Sequence, residues 1–162
     1  MSDEATTTLR TITAHITLVQ DGIDLVCDVL RRRAKMHDIS KLSPAEFDGF
    51  VRINKAARDH AYGSDAYKAA LNQERGTIDR HYDGNPHHPE HWDQPQEMSL
   101  FDIIEMVCDW HAAWKGYSGE KTAEAGESWS SSMAKQRKRF DALSPSQWWV
   151  IDEVAALLEK QA

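Results

Sequence analysis

The adjacent pair His37-Asp38 has clear chemical potential, because an imidazole and a carboxylate can bind the same metal ion. The carboxylate of such a pair can also reach a second ion. Further nitrogen and oxygen donors are spread over the chain: His15 upstream, His81, His87 and His88 in the middle, and Asp109 downstream. Four separated segments therefore offer ligands suited to a transition metal or to a mixed site.

A second dense cluster of histidines lies in the run Asn85-Pro86-His87-His88-Pro89-Glu90-His91-Trp92. Its prolines restrict the backbone and lower the entropy cost of presenting ligands. A surface cluster without a ligand is the alternative interpretation. We expect at least one of these histidines to bind metal, and His91 is the weakest candidate. His60 lies at a predicted helix end, where a cation is favourable for structural reasons alone.

Two carboxylates are predicted to share one helical face downstream. Glu105 and Asp109 are four residues apart, so their side chains stack on a helix. A buried carboxylate is costly unless it is paired or bound to metal. A structural ion pair is the alternative, but two acids in a chain with many imidazoles favour a site. Similarly, His15 lies among apolar residues of its helix, where a lone histidine is more often part of the core.

Composition narrows the class of protein. The chain has 162 residues, 41% of them hydrophobic, and a formal net charge of -7, which fits one globular domain and argues against broad binding to nucleic acid.

Cys27 and Cys108 lack metal-binding spacing and are predicted to be buried free thiols, with one disulfide as the alternative. The acidic start lacks an apolar leader, and no run approaches a membrane span. These features predict a cytoplasmic protein.

Apolar periodicity and capping residues predict an all-α protein with no strand. The first helical stretch, from about Thr6 to Arg33, contains Gly22, which is expected to break it into two helices. Ser43, Pro44 and Glu46 form a predicted capping box for a helix that ends near His60. A further helix is predicted from Gly63-Ser64-Asp65 to about Tyr82, and another, capped by Ser99, from Leu100 to about Lys115. After a connector at 116–128, the last two helices are predicted near 129–141 and at 145–160.

The order His15, His37-Asp38, His81, His87 or His88, Asp109 resembles the HD-domain superfamily of metal-dependent phosphohydrolases. The resemblance implies a helical bundle with a metal site between helices, one domain over residues 1–162, and a core that holds metal through four residues: His15, His37, Asp38 and Asp109. Members with two ions add histidines in the middle of the chain, which His81 and His87 or His88 match. Lys41 resembles the lysine of the HDxGK variant, although Ser40 replaces the glycine. The Gly-Tyr-Pro phrase of the HD-GYP subgroup is absent, so its cyclic-di-GMP specificity does not carry over.

Three longer phrases are similar to an uncharacterised family of small proteins from bacteria and their phages. They begin at His37, Asn85 and Glu105, and the resemblance spans about residues 10–115. This resemblance implies no reaction. The C-terminal helices, about 129–160, are expected to pack on this core.

Three functions compete at this point. The first is a hydrolase for a phosphate ester or anhydride of a small molecule, such as a nucleotide. It would use one or two divalent ions: Mn, Fe, Co, Zn or Ni, with Mg as an alternative. Asp38 would bridge the two ions, or orient a water if only one ion binds, and Lys41 would bind a phosphate oxygen. The second is an HD-type di-iron oxygenase acting on a small polar substrate, which shares the same ligands. The third is a non-catalytic module whose metal only joins helices; a neighbouring lysine is unlike closed structural sites.

Aromatic residues add two further expectations. Trp92, on a loop, is the best candidate for contact with a substrate base, whereas core packing is the default for Trp110 and Trp114. The pair Trp148-Trp149 is expected to mark either core packing or the face of a homodimer, and exposed apolar area there would favour the dimer.

Overall fold

A computed structural model of the protein describes residues 2–60, 64–117 and 128–160. These residues form helices and turns and contain no strand, which confirms the all-α prediction. The chain comprises two compact units, Met1–His37 and Asp38–Ala162. One domain over the whole chain stays a prediction. In the parts of the chain that are described, no helix combines the length and apolar character needed to cross a bilayer.

The first unit is one helix, α1, which spans Asp3–Met36. Ser2 caps it by accepting a hydrogen bond from the Ala5 N–H, and Asp3 and Glu4 lie in the first turn, where carboxylates stabilise a helix. The predicted break at Gly22 is wrong, because the helix continues through it. A glycine inside a helix costs only about 1 kcal/mol relative to alanine. The long apolar periodicity on either side outweighs that cost.

The second unit begins with a 3-10 turn, Ile39–Leu42, and its described residues continue with six α-helices. These are α2 Phe47–Asp59, α3 Asp65–Gln73, α4 Arg75–Gly84, α5 Leu100–Tyr117, α6 Trp129–Arg139 and α7 Pro145–Glu159. Between α4 and α5 lie two further 3-10 turns, Pro89–His91 and Pro95–Glu97. The predicted single helix from Ser64 to Tyr82 is wrong, since it is divided at Glu74. Most of the predicted connector 116–128 lies outside the described residues.

Local capping sets the helix starts that the sequence predicted. Ser99 and Asp102 cap α5 reciprocally, because the Asp102 N–H donates to Ser99 Oγ and the Ser99 N–H donates to Asp102 Oδ2. Ser144 and Gln147 form a capping box at α7. Each box satisfies backbone donors that a helix leaves without internal partners.

The core of the second unit lies between α5 and α7. Met106, Val107 and Ile151 are fully buried, and Trp129 and Trp148 join them. Trp110 and Trp114 pack against this core, as expected. The following residue, Trp149, is 67% exposed, so the two tryptophans of the pair have different environments. A dimer face at Trp149 stays a prediction.

The two cysteines are free, as expected, but the prediction that both are buried is wrong. Cys27 is half-buried and Cys108 is exposed. In α5, Cys108 follows the buried Val107 and lies on the helix side away from the core. Apolar neighbours in the sequence therefore did not imply burial at this position.

A close helix approach in the second unit depends on a glycine. Gly49 in α2 is buried, and a Cβ added to it would lie 2.7 Å from the Cβ of Thr77 in α4. A separation that short is a steric clash with a β-branched side chain that has little rotamer freedom. We therefore expect Gly49→Ala to lower the free energy of unfolding by about 1–3 kcal/mol, measured by urea denaturation.

The matched control is Gly76→Ala in α4, where an added Cβ meets nothing within 4 Å. Alanine is the better helix former, so this variant should be neutral or more stable by up to about 1 kcal/mol. Equal effects of the two substitutions would contradict the close approach.

Candidate metal centre

Asp38 occupies a turn with an unusual backbone conformation. Its φ is 55°, in the left-handed region, and among the described residues it is the only non-glycine with positive φ. Asp tolerates this conformation better than most residues because its short side chain can bond locally. Such conformations cluster at functional sites, where the surrounding structure holds them. The turn rather than a regular helix therefore sets the direction of the Asp38 carboxylate.

Two buried imidazoles face the same oxygen of Asp38. The Nε2 atom of His81, from α4, lies 3.2 Å from Asp38 Oδ1, and the Nε2 atom of His87, from the following loop, lies 3.5 Å from it. Donor atoms that share one metal ion at bond lengths of about 2.0–2.2 Å lie roughly this far apart. The structure thus brings together three of the residues predicted to bind metal.

Each of these imidazoles is held from behind by a carboxylate. Glu46 Oε2 lies 3.1 Å from His81 Nδ1, and Glu105 Oε1 lies 3.3 Å from His87 Nδ1. A histidine that donates its Nδ1 proton to a carboxylate presents the lone pair of Nε2 on the other side. This arrangement is common behind metal-binding histidines, where it fixes the ring and the tautomer.

Glu46 is a residue of the site that was not predicted from the sequence. The prediction that it closes a capping box at Ser43 is wrong, since α2 begins at Phe47 and the buried Glu46 carboxylate instead accepts a hydrogen bond from Ser40 Oγ at 2.9 Å. A signal was available in the sequence: Glu46 continues, at spacings of three and four, a face that includes the buried Gly49 and Ala56. An acid on such a face needs a partner.

Ser40 and Asn85 complete the surroundings of His81. Asn85 Nδ2 donates to Ser40 Oγ at 3.0 Å and to the His81 carbonyl at 2.7 Å, and Ser40 Oγ lies 3.1 Å from His81 Nδ1. These bonds connect the turn after Asp38 to the end of α4. The guanidinium of Arg80 adds a bond of 2.9 Å to the carbonyl of Ala45, beside Glu46.

His88 lies against both other histidines of the cluster. Its Nε2 is 3.1 Å from His81 Nε2, and its ring centre is 4.2 Å from that of His87. Asp38, His87 and His88 each offer a ligand atom within 4.8 Å of the others. Burial, with the neighbouring imidazoles, lowers the pKa of His88 to about 3. His88 is therefore neutral near pH 7, the form that binds metals.

The two predicted acids of α5 reach the same region. An oxygen of Asp109 lies within 4.8 Å of an oxygen of Asp38, and Glu105 orients His87 as described above. Both side chains are half-buried. Their spacing of one helical turn places them on one face, as predicted.

Lys41 contacts the other oxygen of Asp38. Its Nζ lies 2.5 Å from Asp38 Oδ2 and 5.0 Å from the ring centre of Phe50, and its side chain is 36% exposed. In a 3-10 turn, side chains three residues apart lie above one another, which explains the contact. The ammonium therefore stands between the cluster and solvent.

The remaining predicted site residues have other surroundings. His15 is an exposed residue of α1, and His37 is the residue at which α1 ends; both belong to the first unit, and their binding of metal stays a prediction. The Trp92 indole N–H donates to the Pro86 carbonyl at 2.8 Å, and the ring packs against the core. These contacts give Trp92 a structural role, while its contact with a substrate stays a prediction.

The fold and the site together define an all-helical protein with a buried cluster of histidines and carboxylates. The chain belongs to a family of unknown function (DUF5662), whose model matches residues 4–161. The match includes the C-terminal helices, for which the sequence offered no motif. No curated protein and no solved structure matches the chain.

The low pKa of His88 predicts a pH dependence of stability. In the unfolded chain, His88 has the ordinary pKa of about 6.5 and binds a proton below that pH. In the folded protein, His88 stays neutral down to a pH of about 3. The free energy of unfolding therefore falls as the pH falls through this range. We expect the Tm of the metal-free protein to drop less between about pH 7 and about pH 4.5 in His88→Gln than in the wild type.

The control is His60→Gln, at the exposed end of α2. It should keep the wild-type dependence of Tm on pH. The same slope in His88→Gln and in the wild type would show that His88 is not held neutral by the fold.

Proposed function

We propose that the protein is a metal-dependent phosphohydrolase that acts on a small phosphorylated substrate and that its reaction takes place at Asp38. The observation that carries this proposal is the repeated arrangement in which a carboxylate orients an imidazole toward Asp38 Oδ1. Glu46 and His81 form one copy of it, and Glu105 and His87 form the other.

The electrostatics of this arrangement favour a bound cation. When the Nδ1 protons of both imidazoles are donated to their carboxylates, two nitrogen lone pairs face one carboxylate oxygen. That contact is repulsive unless a cation lies between the atoms. Neutral imidazoles and carboxylates suit a divalent transition metal such as Mn, Fe, Co, Zn or Ni.

The residues that would hold metal are Asp38, His81 and His87, with His88 and Asp109 close enough to complete one site or to form a second. A divalent ion bound there would acidify a water and offset the charge of a phosphate. Asp38 would orient the ion and the water. Glu46 and Glu105 would keep the imidazoles in the metal-binding tautomer.

Lys41 supports an anionic substrate. It lies at the edge of the cluster, partly exposed, with its ammonium on the oxygen of Asp38 that is not shared by the imidazoles. A phosphate that reached the metal would meet this ammonium as well, and Lys is a common point-charge contact for phosphate. A purely structural metal gains nothing from a cation at its rim.

The metal site can be tested by binding. We expect His81→Ala to abolish stoichiometric binding of Mn²⁺, Co²⁺ or Zn²⁺, because it removes a ligand. Glu46→Gln should weaken binding about 10–100-fold, because the imidazole loses its orienting carboxylate. Isothermal titration of the metal-stripped protein measures both effects.

Two exposed residues provide matched controls. His60→Ala and Glu97→Gln make the same chemical changes at exposed positions, and both variants should bind metal like the wild type. Wild-type affinity in His81→Ala would remove the site from this cluster.

The reaction can be tested by phosphate release. The metal-reloaded protein should release phosphate from at least one member of a panel of nucleotides and sugar phosphates. Lys41→Met should keep its metal but lose about 10–1,000-fold in turnover, as when a charge-stabilising group is removed from a transition state.

The control for this variant is Lys55→Met, which removes an exposed ion pair with Asp59 on α2. It should retain full activity. Iron as the native metal with oxygen-dependent turnover, and no phosphate release under any metal, would contradict the proposal and favour an oxygenase.

A further inference from the structure

Six of the apolar residues of α1 follow a heptad pattern, and Leu18 and Leu25 lie outside it. Spacings of three and four alternate through this stripe, which consists of Leu9, Ile12, Ile16, Val19, Ile23 and Val26. Each of these side chains is between 47% and 58% exposed, and no residue of α1 is buried. We name these six residues the α1 stripe.

The narrowness of the stripe indicates a helix as its partner. A helix that packs on a globular core usually presents a wider face, with a third apolar position in each heptad. Here the flanking positions beside the stripe are mainly polar, among them Thr13, His15 and Gln20. A straight helix drifts by about 20° per seven-residue repeat, and two helices that wind around each other cancel this drift, so a seven-residue repeat suits a helical partner.

We propose that the α1 stripe binds the α1 stripe of a second copy of this chain in an antiparallel coiled coil. The spacing is self-complementary in that orientation. Leu9 then faces Val26 of the second copy, Ile12 faces Ile23, and Ile16 faces Val19. The six residues pair with one another, and Leu30, which continues the same spacing, then faces Ala5.

The charges at the ends of α1 select the antiparallel orientation. Four cations lie in the last turns, Arg31, Arg32, Arg33 and Lys35, whereas Asp3 and Glu4 lie in the first turn. In a parallel pair, the two basic ends would lie side by side, and Arg33 would fall on the stripe opposite its own copy. In the antiparallel pair, the basic end of each helix lies beside the acidic end of the other, and the helix dipoles are also opposed.

The area that the stripe can bury reaches the threshold for a specific interface. Burying six half-exposed aliphatic side chains from each copy removes on the order of 1,000 Å² from solvent, which is the lower bound for a specific interface. The helix is long enough to carry it, since 34 residues extend about 51 Å.

The test is the mass of the full-length protein by size-exclusion chromatography with light scattering. The wild type should have twice the chain mass of 18.4 kDa at micromolar concentration. Ile16→Lys should shift it to the monomer, because a cation cannot be buried in the seam. Leu18→Lys is the matched control, since Leu18 is 69% exposed but lies off the stripe, and it should remain dimeric. A monomeric wild type, or a dimeric Ile16→Lys, would overturn the proposal.

Disulfide formation tests the orientation without disrupting the stripe. In a background with Cys27→Ser and Cys108→Ser, proteins carrying Leu9→Cys and Val26→Cys are mixed and oxidised. The antiparallel pair should give a disulfide between the two different variants and none from Val26→Cys alone, since its two thiols would lie about 25 Å apart. Rapid self-linking of Val26→Cys would indicate a parallel pair and overturn the proposed orientation.

Discussion

The structure of the candidate site depends on one constraint, which is that two imidazole nitrogens share a single carboxylate oxygen of Asp38. A carboxylate oxygen at 3.2 Å and 3.5 Å from two ring nitrogens is repelled when both nitrogens present lone pairs, and a proton on one nitrogen or a cation among the three atoms removes that repulsion. The surrounding residues act on this contact. Glu46 and Glu105 determine which ring nitrogens carry protons, and Lys41 compensates the second oxygen of Asp38.

The fold of the second unit brings the three atoms together from different segments. Asp38 comes from a left-handed turn, His81 from the last turn of α4, and His87 from the proline-containing loop that follows. Gly49 allows α2 to approach Thr77 of α4 closely, near the position at which Glu46 reaches His81. The carboxylate, the imidazole and the close helix approach are therefore parts of one packing arrangement.

The features that could be predicted from the sequence are those with local causes. The starts of α5 and α7 follow from capping residues within three positions of each other, and the helical periodicity of the apolar residues predicts the all-α class.

Glu46 shows why the rest could not be predicted. Its Ser-Pro context has the pattern of a helix cap, whereas its actual partner, His81, is 35 residues away. Contacts over such separations are set by packing, which a single sequence does not display. The division at Glu74 between α3 and α4 has only Gly76 near it, and this glycine lies inside α4.

The proposed function requires that Asp38, His81 and His87 bind one metal ion. The most direct measurement is a crystal structure of the protein loaded with Mn²⁺ or Co²⁺, with anomalous scattering to locate the ion. We expect a peak within about 2–2.5 Å of Asp38 Oδ1 and of both Nε2 atoms. Saturating metal with no peak at this cluster, or with a peak only at exposed carboxylates elsewhere, would contradict it.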